Sequence, residues 1–269
     1  MLPSEEEFLG MVDSYVRTFL GHEEENNIAL GINIECSLYD DEENSVEKHK
    51  EFWKLIQDHE FLTGYLFQDY NFFPEIYGTC DSLYANEYAR PLSENALLPF
   101  SFSVKERLTR AINILKYIEL LEHKWIEPIH LCDVKHDHFG WTSDGRILFL
   151  DLDAVFTESA LKKVMLNSPA CESHEDCSFF DCQGYCQIST KTCITERTNT
   201  NLQVVCNKIF LGNSESSFIT LAGLLVSSDI DDQVTEAVEL CRTNKGMSTE
   251  AMSEVLEKSL GRLETKSSL

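Results

Sequence analysis

Basic residues are scarce in this sequence: 22 lysines and arginines stand against 46 aspartates and glutamates, a formal charge of −24 over 269 residues. So acidic a balance repels phosphate backbones and leaves no basic stripe, which excludes nucleic acid as a partner. Long apolar runs are missing too. The longest, Phe218 to Val226, falls far short of a membrane span, and the opening MLPSEEEFLG has neither the basic nor the apolar region of a signal peptide. Glycine is thin where phosphate binding would need it. The first 45 residues hold only Gly10, Gly21 and Gly31, with no G-x-G-x-x-G and no lysine on a recognisable strand.

What is present is a core and a set of cysteines. With 43% hydrophobic and 10% aromatic residues the chain can bury one large domain or two small lobes. Five of its ten cysteines (Cys171, Cys177, Cys182, Cys186, Cys193) crowd into CESHEDCSFFDCQGYCQISTKTC, and Cys206 and Cys241 follow. No pair has the C-x-x-C spacing of a zinc site, so the pattern reads as a disulfide knot made in an oxidising compartment, with the pairing left open. A secretory-type body without a secretory address suggests an N-terminally shortened chain.

Periodicity predicts a helix from Glu5 to Leu20 (Phe8, Val12, Tyr15, Val16, Phe19) stopped at Gly21, and a second, after an acidic run, over Val46 to Phe67. Two short strands follow in FFPEIYGTCDSLYANEYA, with Tyr84 and Tyr88 as strand packing. Ser103 and Glu106 form a capping box for a third helix running to about Glu122. Ser143 to Gly145 is then the turn of a hairpin with arms Phe139 to Trp141 and Ile147 to Leu150, and the tail is mostly helical.

The chemistry lies in HLCDVKHDHFGWTSDGRILFLDLDAVF, His130 to Phe156. A helix, a loop with Asp and Lys two apart, a short hairpin and a further Asp at its end make the catalytic half of a protein kinase. There one carboxylate accepts the substrate hydroxyl proton, a lysine meets the transferred phosphoryl group, and a second carboxylate holds magnesium. Asp133, Lys135 and Asp151 take those roles, Asp151 standing 18 residues after Asp133. His138 occupies the place of the usual metal-binding Asn, and Asp151-Leu152-Asp153 that of DFG, so Asp153 is the candidate to supply the metal oxygen that an imidazole does not. His130 is read as a packing residue that orients the loop and His136 as solvated.

GTCDSLYANEYA, LCDVKHDHFGW, FLDLDAVF and EDCSFFDCQGYCQISTKTC, in that order, resemble the divergent protein kinase domain family, cysteine-rich kinase-like proteins of the endoplasmic reticulum. The resemblance covers roughly Phe52 to Cys241. It implies an α+β, two-lobed kinase-like fold with a truncated N-lobe over 1–90, a mainly helical C-lobe over 91–269 and a cysteine-rich insert over 171–206. It also implies a lumenal location with a membrane anchor absent from this chain, ATP with Mg or Mn as cofactor, a protein or glycan acceptor, and a disulfide between Cys80 and Cys132. By the same resemblance Glu60 is the partner of the ATP-anchoring lysine, although no such lysine is found. Either the first N-lobe strands are missing or ATP phosphates are not clamped in the usual way. The family's calcium loop corresponds to SLYDDEENSVEK, or in a shifted register to Asp40 to Glu51; the first lacks the central Gly and closing Glu, so calcium is not expected.

Two other readings compete. A lumenal scaffold would use the same body without phosphotransfer. A haloacid-dehalogenase-type phosphatase would use Asp151 as nucleophile, Asp153 as acid and Ser227 to Asp232 for metal; against it, that motif normally opens its domain.

Overall fold

Ser4 accepts from the Glu7 amide and Glu7 returns a bond to the Ser4 backbone, and this capping box launches α1, Glu5–Phe19. The computed structural model describes residues 4–22, 45–92, 102–166, 170–212, 223–243 and 247–267. Residues 37–44 of the candidate calcium segment and the start of the longest apolar run lie outside them, while the candidate segment from Ser45 onward is helical. Phe8, Val12 and Val16, four residues apart, form the buried stripe of α1. The helix stops at Gly21, whose φ of +84° suits glycine, and whose absent Cβ would lie 2.5 Å from the Ala160 amide nitrogen.

The helix expected over Val46 to Phe67 is two: α2, Ser45–Leu55, and α3, His59–Leu66. Asp58 breaks it. Its backbone is extended (φ −82°, ψ 121°) and its side chain accepts from the Phe61 amide, so it caps a new helix instead of continuing the old one. The break places Glu60 in the first turn of α3. Phe8 stacks on His49 at 4.2 Å and Tyr15 meets Trp53 at 5.6 Å, fastening α1 to α2.

Strands β1 (Ile76–Cys80) and β2 (Leu83–Asn86) form an antiparallel hairpin, as expected, but Tyr88 lies beyond it and is exposed. After β3, Arg90–Pro91, the helix α4, Val104–His123, carries the Ser103–Glu106 capping box and buries Leu108, Ala111, Leu115 and Ile118 in the middle of the molecule. Its hydrophobic face meets α8, Thr249–Ser267.

The next four strands are nested. β4 (Ile129–Leu131) pairs antiparallel with β7 (Val155–Thr157), and inside that pair β5 (Phe139–Trp141) pairs antiparallel with β6 (Ile147–Phe149), to which β3 adds an edge. Nesting brings the β4–β5 loop and the β6–β7 loop to the same end. It also overturns the phosphatase reading, because the strand before Asp151 belongs to an antiparallel hairpin, and every strand pair among the described residues is antiparallel. One of the acids proposed for that metal is used otherwise: Asp231 caps α7, Asp232–Arg242, and pairs with Arg262 at 2.6 Å.

Helix α5 (Glu158–Leu166) leads into the cysteine-rich insert, whose small hairpin, β8 (Tyr185–Gln187) with β9 (Thr192–Ile194), is bound by Cys171–Cys186 and Cys177–Cys193. These sulfurs are most of what the insert buries for itself, the usual resort of a segment too small for an apolar core. Two further disulfides tie distant parts, Cys132–Cys182 and Cys206–Cys241. The expected Cys80–Cys132 bond is therefore corrected. Cys132 is fully buried and bonded to Cys182 at a Cα separation of 4.9 Å, while Cys80 is a free, exposed cysteine at the end of β1. Cys206 is not part of the knot either. It opens a π-turn after α6, Asn201–Val205, and joins α7 in the core. One continuous apolar cluster runs from Phe8 through α4 to Leu256, drawing on both the 1–90 and the 91–269 segments.

Candidate functional site

At the shared end of the nested strands, the β4–β5 loop supplies Asp133, Lys135 and His138, and the β6–β7 loop supplies Asp151 and Asp153. The backbone amide of Leu150 donates to the His138 carbonyl at 2.7 Å, so the two loops are stitched to each other. His138 is buried, its ring edge-on to Phe149 at 5.8 Å. Its Nδ1 lies 2.9 Å from the Asp133 carbonyl oxygen and its Nε2 3.1 Å from Asp151 Oδ2.

Those two contacts constrain the proton. A carbonyl only accepts, so Nδ1 carries the hydrogen, and a neutral ring would then aim the Nε2 lone pair at a carboxylate oxygen. Two acceptors facing each other repel. A divalent cation lying between them would accept both lone pairs. One ligand atom each from Asp133, His138 and Asp151 lie within 4.8 Å of one another. Two carboxylate oxygens and an imidazole nitrogen suit a divalent cation of the manganese or magnesium type, manganese accepting the nitrogen more readily. The other cluster of candidate ligands, Cys171, Cys177 and Cys193, is consumed by disulfides.

Glu60 overlooks these loops from α3. Burial first, then Asp153, Asp151 and Asp58, push its carboxyl up to about 7. Burial, then Glu60, Asp58 and Asp153, push the Tyr84 phenol up to about 12, and the Tyr84 ring packs edge-on to Phe61 at 5.2 Å. Glu60, Asp58, Asp151 and Asp153 thus share one negative field. The charges that raise Glu60 are all of its own sign, so among the described residues it faces carboxylates where a lysine was expected. Lys135 is the cation of the loop, and its Nζ lies 2.7 Å from Asp133 Oδ2.

A pH effect follows from Glu60. Its proton is released near 4.5 in the unfolded chain and near 7 in the folded one, so the folded form binds more protons between those values. The Glu60 contribution to stability is therefore present below the lower value and is lost as pH rises through the upper one. Glu60→Gln is expected to flatten the decline of the urea midpoint from about pH 5 to about pH 8 relative to the unaltered protein. Parallel curves would show that the group is not buried against its neighbours.

The remaining histidines divide. His130 does orient its strand: Nδ1 accepts from Arg197 at 3.0 Å and Nε2 reaches Glu158 at 2.5 Å, and burial and then Arg197 hold the ring below the usual histidine value. His136 is not solvated as expected. It is largely enclosed and bonded to the Ile209 backbone, and burial lowers its pKa.

Three residues that support the site were not singled out from the sequence. Asn201 bonds both Ile129 and Leu131, Arg197 links Asn201 to His130, and Asp181 contacts the Val134 amide. Of these only the Asn201 neighbourhood carried a local signal, the Thr200–Gln203 capping box of α6.

Residues 52–244, more than two thirds of the chain, match the family model described as the protein-kinase domain of FAM69. The matched segment contains Glu60, both site loops and all four disulfides. The resemblance to a divergent kinase-like family, the α+β architecture and the disulfide-rich body therefore agree with one another, and the chain belongs to the family of the protein-kinase domain of FAM69.

Proposed function

We propose that this chain is a divergent kinase-like phosphotransferase of the secretory pathway that binds a magnesium or manganese nucleotide at the Asp133–His138–Asp151 cluster. The observation that carries this reading is the convergence of those three residues from two loops onto one point. The metal, when bound, neutralises phosphate charge. Asp151 and His138 would hold it, and Asp153 adds a carboxylate to the negative field that reaches Glu60. Asp133 accepts the proton of an acceptor hydroxyl, on protein or glycan, and Lys135 swings from Asp133 to the transferred phosphoryl group. The α1-to-β3 half, roughly 1–90, acts as a reduced N-lobe over a C-lobe of 91–269. The disulfides fit an oxidising compartment, and the lumen of the endoplasmic reticulum is the location we assign. No described helix is long and apolar enough to cross a membrane.

Two observations favour the scaffold alternative. Asp133 and Lys135 neutralise each other at 2.7 Å, and Glu60 has carboxylates where a phosphate-anchoring lysine partner would stand. A single experiment separates the two. Manganese or magnesium with ATP at about 100 times its dissociation constant should stabilise the protein by about 2.7 kcal/mol, a Tm rise on the order of 5–10 °C, and Asp151→Ala should abolish it. No rise in the unaltered protein favours the scaffold.

A further inference from the structure

We propose that Asp181, in the cysteine-rich insert, is the positioning residue of the Asp133 loop: it holds the backbone on both sides of Asp133 and so sets where that carboxylate points. The inference deepens the reading of Asp133 as proton acceptor and rests on it.

The peptide groups flanking Asp133 find their partners in the insert. The Cys132 carbonyl accepts from the Asp181 amide at 2.6 Å, and the Val134 amide donates to Asp181 Oδ2 at 2.7 Å. The next insert residue, Cys182, is joined covalently to Cys132. Asp181 is itself held from two directions. Its Oδ1 pairs with Lys208 Nζ at 2.5 Å, from the π-turn after α6, and its carbonyl accepts from Asn199 Nδ2 at 2.8 Å. The carboxylate is thus a bridge between a positive side chain of the helical body and an amide of the loop, a charge-assisted bond on each side.

The turn that delivers Asp181 is unusual in a way that agrees with this role. Phe179 and Cys182 exchange both backbone hydrogen bonds, at 2.9 and 3.0 Å, leaving Phe180 and Asp181 as the two residues of a tight turn. Phe180 takes the left-handed backbone conformation, φ +47°, which large side chains adopt reluctantly, and its ring is 68% exposed. Ring burial does not explain the conformation. What the turn accomplishes is to present the amide and carboxylate of Asp181 to the same short stretch of loop.

The test is amide hydrogen exchange of the 130–139 segment in the full chain, with manganese titration by thermal shift alongside, for the unaltered protein, Asp181→Ala and Asp181→Asn. We expect Asp181→Ala to speed exchange around Val134 about tenfold while α4 and α8 keep their protection, and to weaken manganese binding about tenfold. Asp181→Asn retains an oxygen for the Val134 amide and should recover most of both. If Asp181→Ala does not fold, Lys208→Met, which removes the anchor of the other carboxylate oxygen but keeps the bond to the Val134 amide, is expected to show a change at the same place, confined to 132–134 and smaller in size. Unchanged exchange at 132–134, a loss spread evenly into α4 and α8, or unaltered manganese binding in Asp181→Ala would each overturn the proposal. If the unaltered protein binds no manganese but Asp181→Ala still loosens the loop alone, the metal reading falls and the positioning role stands.

Discussion

Asn201→Ala is expected to lower the unfolding free energy by about 3–5 kcal/mol, because one small side chain completes a strand edge. Strand β4 bonds to β7 along one side only: the Pro128 carbonyl accepts from Glu158, and the Cys132 amide donates to the Ala154 carbonyl. Between them the Ile129 carbonyl and the Leu131 amide point the other way, where no strand pairs with β4 among the described residues. Asn201, 2% exposed, meets them, its Oδ1 accepting from the Leu131 amide at 3.0 Å and its Nδ2 donating to the Ile129 carbonyl at 2.8 Å. The same oxygen takes a guanidinium proton of Arg197 at 2.7 Å. Truncation strands a backbone donor, a backbone acceptor and part of a buried cation, each costing about 1–3 kcal/mol less whatever water can enter. Asn201→Asp keeps the acceptor and loses the donor, so it should fall between. Urea unfolding measures both, and a loss below about 1 kcal/mol for the alanine variant would mean that β4 is not held from this side.

Removing the Cys206–Cys241 disulfide by paired alanine substitutions is expected to cost about 4 kcal/mol, the chain-entropy value for a closed loop of its size. The bond spans 35 residues, and both sulfurs lie in the main apolar cluster, so its loss is felt by the whole cooperative unit. Removing Cys171–Cys186, which spans 15 residues and lies in a separate small cluster, should instead loosen the insert ahead of global unfolding. The expected signature is a lower Tm for the first variant, and for the second a nearly unchanged Tm with faster proteolysis within 171–193. The reverse pattern would show that the insert, and not the helical body, limits stability.

The elements that the sequence announces are those governed by neighbours in the chain. The Ser103–Glu106 box and the apolar repeat of α4 lie within a few residues of one another, as do the arms and turn of the β5–β6 hairpin, and both form as their local chemistry predicts. Asp133, His138 and Asp151 were legible for the same reason, since a kinase-like loop and hairpin have a fixed local spacing. The single helix over Val46 to Phe67 failed because its apolar repeat continues across Asp58, and only the competition between side chain and backbone decides that Asp58 caps. Disulfide partners were beyond local reasoning, as any cysteine of the knot is close in sequence to several others. Asp181, Arg197 and Asn201 were missed because their partners lie about 50 to 70 residues upstream. Glu60 was expected inside that single helix and stands instead in the first turn of α3, and its neighbours, and therefore its proton affinity, depend on how α3 leans over the strand loops.

The nested strands and the sulfur bond at Cys132 carry a consequence for control. In many enzymes of this architecture a mobile segment must be ordered before the chemistry begins. Here the segment following Asp151 is cross-linked twice within itself and once to the residue preceding Asp133. Such a loop is set once, when oxidation is complete, and requires no later addition or removal of a charged group to stay in place. The order of the two loops that carry Asp133 and Asp151 then lasts as long as the sulfur–sulfur bonds do.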